Sequence, residues 1–291
     1  MAAVSVAVLG STANETNVAL VAAWQALGLA CELVEPREVR TSAYGVALGR
    51  IDVRPTLDGV DPGLLELLWI ERAGTRVLNG AAALLTTHDK LRTAAALERA
   101  GIPHPRTRHL QPHELGRRPQ APAVLKPRFG SWGRDVRLCR TDAEVAETLH
   151  EFGSRSWFRR HGALVQDVIA TAGFDLRVVV ADGHVVGAVE RHPEPGEWRT
   201  NVSVGASRLP TSPDSEACAV AIATAEAVGA DLVGVDLMPL PDGTYVVIEV
   251  NGAADFEECY RPGGDIYAAV ADALGLAKTS ESRARPAQAL A

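Results

Sequence analysis

Short apolar runs alternate with helically spaced stretches along the first 80 residues. "VSVAVLG" (residues 4–10) ends in glycine and gives way to polar "STANETN", after which "VALVAAWQALG" (18–28) carries apolar positions at helical spacing and stops at Gly28. A strand followed by a helix is the expected reading. The alternation continues through strand-like "ACELVE" and "IDVRP", a helix over residues 64–73, and "RVLN", so the opening segment reads as a small doubly wound α/β unit. The pattern then changes. A helix capped near Thr87 and ending at Gly101 precedes Pro103 and Pro105, which force an extended stretch. Beyond it come strand "APAVLKP", glycine-containing "RFGSWGRDV", a helix over 142–152 and strand "ALVQDVI". After Asp175 the chain reads mostly as hairpins, with a helix near 217–228. From about Lys278 the apolar face disappears, and a disordered tail is expected over 278–291.

Composition narrows the class without naming a function. The chain has 291 residues, 47% hydrophobic, with 29 basic and 36 acidic side chains for a net charge of −7. It is long enough for two or three units with substantial cores. With no like-charge run, neither nucleic acid nor an anionic membrane is implied as a partner. The four cysteines are scattered without C-x-x-C spacing, and no long uncharged apolar stretch occurs, so a cytoplasmic protein with reduced thiols is expected. His104, His109 and His113 lack metal-site spacing and read as loop residues.

Candidate chemistry begins at "VDLMPLPDGTYVVIEVN" (235–251), where carboxylates interrupt two core-like strands. A two-residue turn at Asp242-Gly243 would pair Pro241 with Thr244, Leu237 with Ile248 and Asp236 with Glu249, placing Asn251 on the face of Glu249. Two carboxylates about 4 Å apart repel by roughly 4 kcal/mol at an effective dielectric near 20, so a compensating positive group is expected. Mg²⁺, which takes oxygen ligands and leaves positions for phosphate and water, is one answer. The spacing fits equally well a hairpin with one solvated face. A second feature is "VLKPRFGSWGRDV" (124–136), in which a strand delivers Lys126 and a small-residue loop with Gly130, Ser131 and Gly133 lets backbone N–H groups approach an anion. A plain hairpin connection explains that loop as well. Neither a Walker A loop nor a Rossmann glycine fingerprint is present.

The order of these features resembles the ATP-grasp superfamily over about residues 85–275. The helix with Lys90, the strand with Lys126, the glycine loop, "LVQDVI", "GFDLRVVV", "WRTN" and the acidic hairpin follow one another, and "GSWGR", "NGAADF" and "GGDI" look like the RimK-like and LysX-like carboxylate-amine ligases. This resemblance implies an α/β (α+β) ATP-grasp fold with an N-terminal Rossmann-like pre-ATP-grasp domain over 1–85. It also implies a small ATP-grasp subdomain over 86–165 and a metal-bearing C-terminal subdomain over 166–277. It further implies that Lys90 and Lys126 touch nucleotide phosphates under the Gly130, Ser131, Trp132 and Gly133 loop, and that Gln166, Asp167 and Val168 read adenine. Asp175 would hold ribose, Arg199 and Asn201 would close over the phosphates, and Asp236, Glu249 and Asn251 would bind Mg²⁺, which Mn²⁺ can replace.

The implied activity is ATP-dependent amide formation through an acylphosphate, on an amino acid, peptide or carrier-protein carboxylate of glutamate-like or aminoadipate-like type. A homodimer or homotetramer is the implied assembly. A phosphotransferase, or an ATP-binding module without catalysis, stays open. Arg177 and Arg191 are the candidates for gripping the acyl substrate or the transferring phosphoryl group, since a guanidinium fork suits both. A two-residue turn at Asp182-Gly183 would put them on opposite faces of their hairpin unless a bulge intervenes. Two departures from the pattern are visible: "VSVGAS" follows Asn201 where relatives carry paired glycines, and Gln166-Asp167 replaces the usual Gln-Glu.

Overall fold

A computed structural model describes residues 5–39, 44–116 and 119–276. The tail expected from residue 278 lies outside the described residues. Three sheets organise the described residues. The first is parallel, in the order β2-β1-β3-β4, from β1 (Ser5–Gly10), β2 (Ala30–Val34), β3 (Val46–Arg50) and β4 (Arg76–Leu78). Helices α1 (Glu15–Ala26) and α2 (Leu64–Arg72) complete this unit. The strand expected at "IDVRP" is corrected: pairing occupies residues 46–50, and 51–55 contributes one isolated bridge, Val53 to Val60.

Helices α3 (Ala81–His88) and α4 (Lys90–Arg99) lead out of the first unit. The helix expected from Thr87 starts instead at Lys90, because the Asp89 side chain accepts from the Leu91 N–H and caps it there; Thr87 and His88 end the preceding helix. The second sheet runs β5-β8-β6-β7, from β5 (Thr107–Leu110), β6 (Ala123–Pro127), β7 (Arg137–Cys139) and β8 (Ala163–Asp167). Helices α5 (Asp142–Ser154) and α6 (Ser156–His161) cover it, burying Phe152, Trp157 and Phe158 in one aromatic cluster.

The third sheet, β11-β10-β9-β12-β13, is antiparallel. It comprises β9 (Asp175–Ala181), β10 (His184–His192), β11 (Ser207–Pro210), β12 (Leu232–Pro239) and β13 (Tyr245–Asn251), with α7 (Ser215–Val228) packed on one face. The first and third units share a core. Helix α8 (Ile266–Ala273) brings Ile266 and Val270 into the cluster that holds Val6, Val8 and Trp24 together with Val179 and Leu232. Asn79, fully buried at φ +49°, adds a polar joint. Its amide nitrogen donates to the carbonyls of Leu232 (2.6 Å) and Gly252 (2.9 Å), and its oxygen accepts from the N–H groups of Asp231 and Leu232.

Both hairpins depart from the expected pairing, β12–β13 in its turn and β9–β10, whose two-residue Asp182-Gly183 turn forms as expected, only at a bulge. Pro241, Asp242 and Gly243 form a three-residue loop in which the Gly243 N–H donates to the Leu240 carbonyl and Gly243 takes φ +86°. That loop shifts the hairpin by one residue, pairing Leu237 with Val247 and Met238 with Val246. A bulge at Ile248 then restores Asp236 opposite Glu249. In the β9–β10 hairpin a bulge at Val186 moves Arg191 opposite Asp175 and Val189 opposite Arg177, so both arginines share one face.

Candidate active site

The bulges set a row of charges across the third sheet. Arg191 pairs with Asp175 across β10 and β9, Arg177 lies opposite Asp236 of β12, and Asp236 lies opposite Glu249 of β13. Arg177 grips Asp236 with two hydrogen bonds of 2.7 Å, and Arg191 reaches the same carboxylate at 2.8 Å while holding Asp175 at 2.5–2.7 Å. The compensating charge expected for the acidic pair is thus supplied by the chain itself. Burial opposes ionisation of Asp236, but the two guanidiniums outweigh it and hold its pKa below the usual carboxylate range. Asp175 is pushed upward by burial despite Arg191.

Glu249 belongs to a different set of cations. Lys90, the first residue of α4, lies 3.0 Å from its carboxylate and also donates to the Gly130 carbonyl. This position is fixed because Asp89 caps the helix and takes two hydrogen bonds, 2.7 and 2.6 Å, from Arg128 at the end of β6. Lys126 is buried nearby, and burial drives its ammonium pKa down to about 8 even though Glu249 pulls the other way. The glycine loop lies beside both lysines. Trp132 and Gly133 take φ of +60° and +66°, and the segment after Trp198 lies against them: Arg199 donates to the Gly133 carbonyl (3.1 Å) and Ser203 to that of Trp132 (2.8 Å). Arg199 is otherwise paired with Glu197 at 2.7 Å.

Three cavities follow one another through this region. A slot of about 350 Å³ is lined by Lys90, Lys126, Gly130, Ser131, Gly133, Gln166, Asp167, Val168, Arg199, Asn201 and Glu249, with apolar walls from Leu138, Met238 and Ile248. A second, also about 350 Å³, shares Ser131, Asn201 and Glu249 with it and adds Arg177, Arg191, Asn251, His88 and Tyr260. The third is a cleft of about 1010 Å³ at the first sheet, joined to the second through Asp52, Trp132, Arg208 and Asp255. Burial holds His88 neutral with a pKa near 4, and its Nε2 bonds to the Ile51 carbonyl at 2.8 Å.

Most of the expected site residues therefore meet in the first two cavities. Asp175 does not. It is fully buried, bound by Arg191 and Thr200 (2.5 Å), and lines none of these cavities, so its placement gives no support to a ribose contact. Asp236 is likewise enclosed, at 1% exposure, by its two arginines. Among the described residues no group of three or more His, Cys, Asp or Glu side chains is arranged to hold a metal. The hard-cation reading fits Glu249 and Asn251, oxygen-bearing side chains in one cavity. The Asn251 amide nitrogen is buried without a hydrogen-bond partner, which leaves that amide free to reorient toward a ligand. His88, Asp52 and Arg208 were not legible as site residues, since none sits in a recognisable spacing.

The sequence model of the RimK-like ATP-grasp domain matches residues 87–274. The chain belongs to this family. A glutamate–LysW ligase ArgX of Sulfurisphaera tokodaii is 29% identical over 224 residues, covering 74% of this chain and 78% of that protein. An alpha-aminoadipate–LysW ligase LysX of Sulfolobus acidocaldarius is 30% identical over 191 residues, 64% of this chain and 68% of the relative. Among solved structures, a RimK domain protein of the ATP-grasp type from Sphaerobacter thermophilus superposes with a TM-score of 0.67 at 23% identity, covering 93% of this chain and 99% of the other. The ATP-grasp ligase PsnB, complexed with a minimal precursor, Mg and ADP, gives 0.66 at 18% identity over 94% and 97%. The fold is ATP-grasp, and the chain is an ATP-dependent ligase of the carbon–nitrogen bond-forming kind.

Proposed function

We propose that this ligase activates the carboxylate of an amino acid, or of the end of a peptide or carrier protein, as an acylphosphate and joins it to an amine. The succession of the three cavities carries this reading: a nucleotide-sized slot opens into a cation-lined junction, and the junction opens into a cleft wide enough for a substrate. Apolar Leu138, Met238 and Ile248, with the backbone of Gln166 to Val168, form a slot for a planar base. Lys90, Lys126 and the loop N–H groups supply positive potential for phosphates, and Arg177 and Arg191 place guanidinium charge where the phosphoryl group and the acyl substrate meet. Glu249 and Asn251 would hold Mg²⁺, with Asp236 beside them. When bound, the ion neutralises the charge that develops between the terminal phosphates. Mn²⁺ is expected to substitute. No covalent bond to the protein is needed.

Glutamate-like or aminoadipate-like substrates are the favoured class, since the named relatives act on glutamate and alpha-aminoadipate. ADP release measured across amino acids and dicarboxylates crossed with amines tests the reaction, and mass spectrometry identifies the product. Wild-type protein should release ADP only with both co-substrates, and Glu249→Gln should lower the rate by at least about a hundredfold, the scale of losing one transition-state charge contact. Wild-type-like turnover by Glu249→Gln would refute the site. A stable phosphorylated product from a single substrate would mark a phosphotransferase. Light scattering tests the expected homodimer or homotetramer.

A further inference from the structure

Among the described residues, Arg50 is a buried arginine that no carboxylate touches. Arg128 forks onto Asp89, Arg177 onto Asp236, and Arg191 onto Asp175 and Asp236. Arg50 is 1% exposed, its Nε donates to the Asn17 side-chain oxygen at 2.8 Å, and both terminal nitrogens, Nη1 and Nη2, are buried without any partner. The Phe256 ring lies 5.8 Å from the guanidinium carbon and eases the charge over one face, but it leaves the N–H groups unmet. A buried cation in this condition is costly unless something pairs with it.

The surroundings hold the side chain in place rather than satisfy it. The Asn17 amide nitrogen donates to the Ser11 carbonyl (3.1 Å), and its backbone N–H donates to the Asn14 side chain that caps α1 (2.9 Å). Gly10 is required by this packing: a Cβ there would collide with the Asn17 amide and the Arg50 carbonyl. Two acids act on its charge without touching it: Asp255, which accepts from Asn14 Nδ2 (2.9 Å), and Asp52, which accepts from the Val53 N–H (2.6 Å).

The location is an independent pointer to a ligand. Arg50 ends β3 and pairs with Gly10, which ends β1. Strand β1 connects through α1 to β2 on one side, while β3 lies on the other, so the sheet order reverses between these two carboxyl ends. Such a switch point is where open parallel sheets bind ligands. Here it opens on the cleft of about 1010 Å³, which Arg50 lines together with Ser11, Asn14, Asp52 and Asp255.

We propose that Arg50 seats a carboxylate of the amino-acid or peptide substrate other than the one being activated, with Asp52 and Asp255 offering the same molecule a counter-charge for its ammonium. The idea rests on the ligase reading for the fate of the substrate, but the binding event is separable from it. The unpaired guanidinium edge, closed to solvent here, matches a carboxylate's two oxygens once the cleft wall over it parts, and Asn17 sets its orientation. The site selects substrates that keep a free carboxylate after the other has reacted, as glutamate-like and aminoadipate-like molecules do.

Thermal midpoints of the full chain, titrated with L-glutamate, L-aminoadipate, L-aspartate and succinate, test this, with AMP-PNP and Mg²⁺ titrated separately on the same preparations. At least one carboxylate should stabilise the wild-type protein, and Arg50→Met should bind that probe at least about tenfold more weakly, the scale of a charge-assisted hydrogen-bond pair, with Arg50→Lys intermediate. Equal affinities in wild type and Arg50→Met, or no stabilisation of wild type by any of the four, would overturn the proposal. Loss of the AMP-PNP response alone would sink the ligase site and leave the carboxylate seat standing. Should Arg50→Met fail to fold, nitrogen-15 spectra of the wild-type guanidinium, assigned through Arg50→Lys, decide: the Nη signals shift on adding the stabilising carboxylate, and unmoved signals refute the contact.

Discussion

Replacing Asp236 with asparagine keeps the side-chain shape and removes one charge from a buried set of four. In the native arrangement Asp175 and Asp236 balance Arg177 and Arg191, and Arg177 has Asp236 as its fork partner. Asp236→Asn leaves two guanidiniums facing one carboxylate at sites that are 14% and 3% exposed. Breaking a buried ion pair by removing one partner costs about 3–5 kcal/mol. For a chain of this size that corresponds to a midpoint lower by about 10 °C. Adding Arg177→Met removes the orphaned cation and restores neutrality, so the double variant should recover most of the loss. Calorimetry and urea unfolding of the single and double variants measure the difference, and ADP release from the double variant reports function separately. Stability should return without activity, because Arg177 lines the junction where the substrates meet. A single variant that unfolds at the wild-type temperature, or a double variant no more stable than the single, would refute the charge-balance account.

Lys126 predicts a proton signature. Burial sets its pKa at about 8 in the free protein, so an anionic nucleotide should draw a proton onto it, and affinity for AMP-PNP should fall as pH rises above 8. Calorimetric titration at pH 8.5 in buffers of different ionisation enthalpy should show proton uptake that Lys126→Met abolishes. Because the folded-state pKa lies below the unfolded value of about 10.4, the unfolded chain binds more protons between these values, and this group should make the free protein more stable as pH rises through that window. Asn79→Ala strands the backbone groups of Leu232 and Gly252 in the interior. It should cost about 3 kcal/mol or more in urea unfolding, and Asn79→Asp, which keeps the acceptor but sets a buried carboxylate oxygen against the Leu232 and Gly252 carbonyls, should cost at least as much.

The charged row was legible in outline because alternation along β12 and β13 and an Asp-Gly turn brought Asp236 opposite Glu249. It was legible for a partly mistaken reason. The loop is one residue longer than a tight turn, and the bulge at Ile248 cancels the shift. Val186 and Ile248 look like ordinary strand residues, so the residues at the bulges do not announce where they fall. The same irregularity at Val186 decided whether Arg177 and Arg191 meet. Asp175 and Arg50 show a different limit: spacing identifies a charged residue in an apolar run, but not whether its partner is the protein or a ligand. Strand β3 differs from the expectation because its sequence, "VALGR", carries a glycine and a terminal arginine; the glycine makes sense only once the Asn79 carbonyl and Leu67 and Leu84 of the flanking helices are seen to crowd it. Helix α8 was not expected at all: the chain after Asp175 reads as hairpins with one helix near 217–228, and nothing in it indicates that residues 266–273 would cross to the first sheet.

That crossing constrains anyone who would retune this ligase by exchanging parts. The segment that builds the wide cleft, residues 5–78, does not end its dependencies at its own boundary: Trp24 donates its indole N–H to the Tyr267 carbonyl, and Ile266 and Val270 fill the space beside Val6 and Val8. A chimera given a relative's opening segment but keeping its own α8 would juxtapose two mismatched halves of one interior, so grafts should transfer both pieces as a set.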